Sequence, residues 1–161
     1  MPEEISFFSG AVTTIIGVIF GGFVGYISAI KINKRQQFNE AASKFQSAFV
    51  ETKRLLDKNR LFEIYNNYND PIFDILSKHI IYIERAKIRF SSFLNKKDLS
   101  AFNKAWDEYY SKSQDGSDYY LNDYVCDRCS KTNKVIYESM DEKRELALKR
   151  IGHLLDFAAR K

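Results

Sequence analysis

The stretch ISFFSGAVTTIIGVIFGGFVGYISAI fills residues 5–30 and contains no charged side chain. At roughly 1.5 Å per residue, a helix of this stretch would be about 39 Å long, which exceeds the ~30 Å hydrocarbon core of a bilayer. Lys31, Lys34 and Arg35 follow at once. The stretch therefore predicts a transmembrane helix within residues 1–30.

A cleaved signal peptide is the main alternative to a retained anchor. Such a peptide begins with basic residues, continues with an apolar core of ~7–15 residues and ends at a small-residue cleavage site. Here the leading residues are Pro2, Glu3 and Glu4, and the apolar run is too long. These differences favour a single-pass anchor that stays in the mature protein.

All 25 Lys and Arg residues follow the apolar stretch. Because positive charge is retained on the cytoplasmic side of a membrane, residues 31–161 are predicted to be cytosolic, with the N-terminus outside the bacterial inner membrane. This cytosolic part carries 25 basic and 19 acidic side chains, a formal charge of +6. The surplus permits an anionic ligand, and duplex nucleic acid is not an expected partner.

Glycine recurs every four residues within the apolar stretch. Successive members of such a series lie about 40° apart around a helix and form one slowly winding stripe. Small residues let membrane helices approach closely, so a homo-oligomer is predicted to pack through the stripe. The alternative is that glycine is simply frequent in membrane helices. The predicted packing residues are Gly10, Gly17, Gly21 and Gly25.

The cytosolic part is predicted to be all-α, because no run shows the two-residue alternation of a half-buried strand. A bundle of about four helices is expected, with apolar residues three and four positions apart, as in Phe102, Ala105, Trp106 and Tyr109. The expected helices continue from the membrane to about residue 58, begin at Asp70 and Pro71, run from a cap at Asp98 to Lys112, and begin at the capping box of Ser139 and Glu142.

Residues 113–138 form an irregular, tyrosine-rich part of the chain, in which a short strand pair or a turn of helix is expected around Leu121 to Val125. A connection this long in a compact helical domain is commonly functional. Tyrosine clusters suit protein interfaces and stacking on nucleobases. The alternative is that these tyrosines cover a loop against the core. The candidate ligand-binding residues are Tyr119, Tyr120, Tyr124, Arg128 and Lys131.

Cys126 and Cys129 form a CxxC motif, and two thiolates at this spacing can hold half of a tetrahedral zinc site. The other half could come from His79 and His153, or from the same motif in a second subunit. Reduced structural thiols are the favoured interpretation, since the cytosol keeps thiols reduced and no second CxxC exists. A redox pair is the third interpretation, and no cofactor is required by the sequence.

Catalytic motifs are lacking in the sequence. It has two histidines, and it contains no Gly-rich phosphate loop, nucleophile elbow or metalloprotease motif. The chain is therefore predicted not to be an enzyme.

Several segments resemble a group of small, mostly uncharacterised bacterial membrane proteins that have one N-terminal membrane helix and a helical cytosolic domain. The segments are 38–49 (FNEAASKFQSAF), 86–94 (AKIRFSSFL), 105–109 (AWDEY) and 151–158. The layout is also similar to membrane effectors of type III CRISPR systems, which bind cyclic oligoadenylate. No nucleotide-binding motif of those effectors can be carried over, so this second resemblance is one of architecture.

Two functions compete on these grounds. The leading prediction is an effector whose cytosolic domain senses a ligand, such as a cyclic nucleotide in antiviral defence, and whose oligomeric membrane helices then perturb the bilayer. The alternative is a passive anchor or adaptor that presents a helical protein-interaction module at the inner membrane. The first would cause dye leakage in the presence of its signal, and the second would bind a protein partner stably.

The glycine stripe makes a direct prediction about assembly. Gly21→Leu should shift the detergent-solubilised protein toward monomer, because the larger side chain separates the packed backbones. Native mass spectrometry measures the subunit number, with Ile19→Leu on the opposite side of the helix as the control. An unchanged oligomer in Gly21→Leu would end the packing hypothesis and leave the anchor hypothesis intact.

Overall fold

The computed structural model describes residues 2–57, 61, 70–110, 120–127 and 136–159, and it describes no side chain for residues 2–21 and 137. Over these ranges the chain is all-α and contains no strand, which confirms the all-α part of the predicted fold class. Its elements are α1 (Pro2–Ala48), α2 (Val50–Leu55), α3 (Pro71–Ser91), α4 (Lys96–Tyr110), a 3-10 turn (Asn122–Tyr124) and α5 (Tyr137–Ala159). The chain divides into two compact units, Met1–Phe38 and Asn39–Lys161.

The first unit is the N-terminal part of α1. Its side chains at residues 22–37 are all exposed, including the large apolar side chains of Phe23 and Tyr26. A Cβ atom added to Gly25 would meet nothing within 4 Å. Gly10, Gly17 and Gly21 are helical in backbone, and their surroundings lie outside the described residues. Where the structure describes the chain, no helix combines the length and apolar character needed to cross a membrane.

The second unit has a core of phenylalanine rings. Phe45 of α1 stacks on Phe90 of α3, with ring centroids 5.0 Å apart and an interplanar angle of 9°. Phe49 and Phe102 meet the ring of Phe45 edge-on, at 5.2 and 5.6 Å. Phe157 of α5 meets Phe102 edge-on at 5.5 Å. Stacked and edge-on aromatic pairs are the favoured geometries, so this one cluster joins α1, α3, α4 and α5.

Phe49 interrupts the first helix, which was expected to continue unbroken to about residue 58. Its N–H donates to the carbonyl of Gln46 at 3.1 Å, three residues back, and its carbonyl accepts from the N–H of Lys53 at 2.8 Å. This tighter turn separates α1 from α2 by one residue and coincides with full burial of the Phe49 ring. The apolar periodicity of the sequence continues through the turn and therefore did not reveal it.

Asp70 and Pro71 begin α3 as predicted, and Pro71 occupies its first turn. The side chain of Asp70 makes no capping hydrogen bond to this helix, however. Its backbone N–H instead donates to the Oδ2 of Asp74, four residues further on, at 3.2 Å. The carboxylate of Asp70 is thereby left for the contact with Cys126 described below.

The predicted caps of the last two helices are wrong. Helix α4 begins two residues before Asp98, and Asn95 caps it: the Oδ1 of Asn95 accepts from the N–H of Asp98 at 2.9 Å. Helix α5 begins at Tyr137, which places Ser139 inside the helix, and the N–H of Met140 donates to the carbonyl of Ile136 at 3.0 Å. The buried face predicted for α4 is confirmed in full: Phe102, Ala105, Trp106 and Tyr109.

We expect Phe45→Ala to lower the free energy of unfolding by about 3–5 kcal/mol, because it removes the ring that contacts three others and leaves a cavity. Phe93→Ala is the matched control, since Phe93 is partly exposed and its loss should cost about 1 kcal/mol or less. Chemical denaturation of the full-length chain measures both. Equal losses would contradict a core centred on Phe45.

Candidate functional site: the tyrosine segment

Residues 120–127, called the tyrosine segment below, are folded against the C-terminal end of α4. The N–H of Leu121 donates to the carbonyl of Tyr110 at 2.9 Å, and the N–H of Tyr124 donates to the carbonyl of Leu121 at 3.0 Å. The resulting 3-10 turn confirms the turn of helix expected around Leu121 to Val125. No strand pair occurs in the segment.

Leu121 adopts a left-handed backbone conformation, with φ of 61°, and its side chain is fully buried. Bulky residues rarely adopt positive φ, and such a conformation costs on the order of 1–3 kcal/mol. Burial of the leucine side chain and the bond to Tyr110 offset this cost. Tertiary contacts therefore stabilise the left-handed conformation of Leu121 at the start of the segment.

Tyr124 is buried, and its hydroxyl supplies a hydrogen-bond donor to the C-terminal end of α4. Its hydroxyl donates to the carbonyl of Tyr109 at 2.8 Å, one of the last carbonyls of α4, which have no partner within the helix. The Cζ of Arg150 lies 5.5 Å from the centroid of the Tyr124 ring, and its Nη1 lies 2.8 Å from the Oδ2 of Asp123. Burial raises the pKa of Tyr124 to about 12. This predicted ligand-binding residue thus has a structural role.

Cys126 is a buried free thiol. Its backbone N–H donates to the carboxylate of Asp70, at 3.1 Å to Oδ2 and 3.3 Å to Oδ1. Burial, and then the negative charge of Asp70, raise the pKa of Cys126 to about 12. The thiolate that a metal or a redox reaction requires is therefore disfavoured at neutral pH. Cys129 lies outside the described residues, so the pairing of the two thiols is untested.

The histidines that could complete a zinc site differ in their surroundings. His153 is exposed, with its Nδ1 3.8 Å from the Oε2 of Glu108. His79 is partly buried on α3, and burial followed by the charge of Lys78 lowers its pKa. Within the described part of the chain, no three His, Cys, Asp or Glu side chains are grouped so that they could hold a metal ion.

The far end of the tyrosine segment is tied to α5. The N–H of Asp127 donates to the Oγ of Ser139 at 2.8 Å, and the carbonyl of Asp127 accepts from the N–H of Ile136 at 2.8 Å. Ser139 thus fixes a neighbouring segment instead of capping its own helix. Two of the predicted ligand-binding residues, Arg128 and Lys131, fall between Asp127 and Ile136 in the sequence. Both lie outside the described residues.

A row of aromatic rings leads from the core to the surface beside the segment. The Nζ of Lys87 lies 4.9 Å from the ring of Trp106, which stacks with Tyr110 at 6.0 Å. Tyr110 in turn stacks with Tyr120 at 5.4 Å. Trp106 was not predicted as a member of this row, although its spacing of four residues from Tyr110 on one helix is a signal for it. Tyr119 lies outside the described residues.

Three large side chains at the segment are exposed, namely Tyr120 (38%), Val125 (44%) and Ile136 (38%). Of the predicted ligand-binding residues that the structure describes, Tyr120 is therefore exposed and Tyr124 is buried. The arrangement can offer apolar contact and a stacking ring to a partner.

Comparisons with protein-family models, with curated proteins and with solved structures find no match to this chain. The fold and the site define an all-α protein with an aromatic core and an exposed aromatic and aliphatic segment.

The two buried tyrosines should respond differently to loss of their hydroxyl groups. The Tyr109 hydroxyl has no hydrogen-bond partner among the described residues, so Tyr109→Phe should leave the free energy of unfolding unchanged or raise it by up to about 1 kcal/mol. Tyr124→Phe should lower it by about 1 kcal/mol, because the carbonyl of Tyr109 loses its donor. Urea denaturation followed by circular dichroism compares the two, and an equal loss in both would contradict the assigned hydrogen bond.

Proposed function

We propose that the chain is a non-enzymatic, single-pass protein of the bacterial inner membrane that presents a helical interaction module to the cytosol. The observation that carries the proposal is the run of 26 uncharged residues, followed at once by Lys31, Lys34 and Arg35. A run of this length suits a bilayer, and its basic flank favours a cytosolic C-terminal part. Self-association through Gly10, Gly17, Gly21 and Gly25 belongs to the same proposal.

The contacts of the tyrosine segment favour an interaction module over a ligand sensor. Tyr124 and Cys126 were candidates for ligand and metal binding, and both have structural contacts, with Tyr109 and Asp70 respectively. The burial and raised pKa of the Cys126 thiol favour a reduced structural thiol over a zinc ligand at that position. The large apolar side chains exposed there are the ring of Tyr120 and the aliphatic groups of Val125 and the neighbouring Ile136, and such groups are typical of protein contact surfaces.

A ligand-gated effector is the second candidate, and Tyr120 is the observation that favours it. Its exposed ring ends the row formed by Trp106 and Tyr110, and a nucleobase could stack on such a ring. The ligand class would be an anionic cyclic nucleotide, and several copies of the glycine-striped helix could then perturb the bilayer.

Val125→Glu tests the interaction module. Tagged full-length protein should co-purify from detergent-solubilised membranes with a stoichiometric protein partner. The variant should lower the amount of co-purified partner about tenfold, because a carboxylate would enter an apolar contact. Asn103→Glu, at an exposed position of α4, is the matched control and should retain the partner.

The same preparations separate the two candidates. For an interaction module, dye-loaded vesicles that contain the protein should not leak when cyclic tetra-adenylate is added. Leakage on addition of this probe, in a protein that co-purifies with no partner, would contradict the interaction module and support the ligand-gated effector. Recovery of the chain in the aqueous fraction without detergent would refute both candidates, because each depends on the membrane anchor.

A further inference from the structure

One side of α3 carries large apolar side chains beside basic ones. Ile81, Tyr82 and Ile88 are 62%, 61% and 68% exposed. Single exposed apolar residues are normal on a protein surface, but these three recur with basic residues at the three-and-four spacing that places side chains on one side of a helix. The basic-apolar face, as we call it, consists of Lys78, Ile81, Tyr82, Arg85, Ile88 and Arg89, all exposed.

The other side of α3 is buried, and this keeps the basic-apolar face exposed. Ile75, Ile83 and Phe90 are buried in the core of the second unit, and Phe90 stacks on Phe45. Turning the helix to bury Ile81 or Ile88 would expose these residues and cost several kcal/mol. The outward position of the basic-apolar face is therefore imposed by the core.

The C-terminal end of the face lies beside the part of α1 that belongs to the second unit. The Nη2 of Arg89 is 3.4 Å from the Oε1 of Glu40, and Phe90 contacts Phe45. In the sequence, Glu40 follows Ile30, the last residue of the uncharged run, by ten positions. Ten residues span at most about 35 Å even when fully extended. The connection between the apolar run and the residues that contact this face is therefore short.

The charge of the face indicates what it contacts. It contributes three basic side chains, and Glu40 is the acidic partner that the structure places against one of them. A second copy packed symmetrically on the same face would oppose like charges, which disfavours that pairing. Anionic headgroups complement Lys78, Arg85 and Arg89, and exposed isoleucine and tyrosine side chains suit the boundary between headgroups and acyl chains.

We propose that the basic-apolar face of α3 docks on the anionic cytosolic leaflet of the membrane. This inference rests on the membrane anchor of the proposed function and adds a second contact between the protein and the bilayer. The face would contact the lipid surface, and this contact would keep the second unit at the membrane.

Photo-crosslinking of the full-length protein in cell membranes tests this contact. Benzoylphenylalanine in place of Ile88 should form adducts with the mass of phospholipids, detected by intact-protein mass spectrometry after extraction. The same group in place of Asn103, exposed on α4, is the matched control and should give few lipid adducts. Arg85→Gln should lower the adduct yield at position 88 about fivefold, since one basic residue near an anionic surface contributes about that factor. Lys104→Gln should leave it unchanged.

The outcomes distinguish failure of the docking from failure of the anchor. A membrane-embedded protein that gives no lipid adducts at position 88, or gives equal adducts at positions 88 and 103, overturns the docking alone. An adduct at position 88 to a second copy, or to another protein, assigns the face a different occupant and also overturns it. A protein that alkaline carbonate releases from the membrane refutes the anchor as well.

Discussion

The stack of Phe45 on Phe90 is the contact on which the second unit depends. It joins α1 to α3, and Phe102 meets both rings edge-on, at 5.6 and 5.4 Å. Phe157 then brings α5 to Phe102. Because each ring contacts rings from other helices, the helices have one common core, and close packing makes any change of volume there costly. The exposed surfaces of the second unit follow from that core, since it determines which side of each helix faces solvent.

The polar residues around the tyrosine segment show how an irregular piece of chain is kept folded. Its backbone has no regular partner strand or long helix, so side chains from other elements satisfy it. Asp70 accepts from the N–H of Cys126, and Ser139 accepts from the N–H of Asp127. In the other direction, Tyr124 of the segment supplies a donor to the end of α4. Buried backbone groups need such partners. The same residue types could have capped helices or bound a ligand, and their use here follows from which backbone groups are buried nearby.

The two proposals concern different parts of the second unit. The tyrosine segment is joined to α4 and α5, and it exposes Tyr120 and Val125 beside the acidic side chains of Asp123 and Asp127. The outer side of α3 has exposed apolar groups of similar size, but basic residues surround them. The sign of the charge is therefore what separates a surface suited to protein contact from one suited to an anionic bilayer.

By itself, the sequence determined the all-α class, the start of α3 at Asp70 and Pro71, and the buried face of α4, because periodicity and proline act within a few residues. It also contains the uncharged run on which the anchor proposal depends. Tertiary structure alone decided that Phe49 ends a helix and that Ser139 bonds to Asp127. A local motif shows which hydrogen bonds a side chain can make, but the choice among them depends on which distant backbone groups the packed core brings near and removes from water.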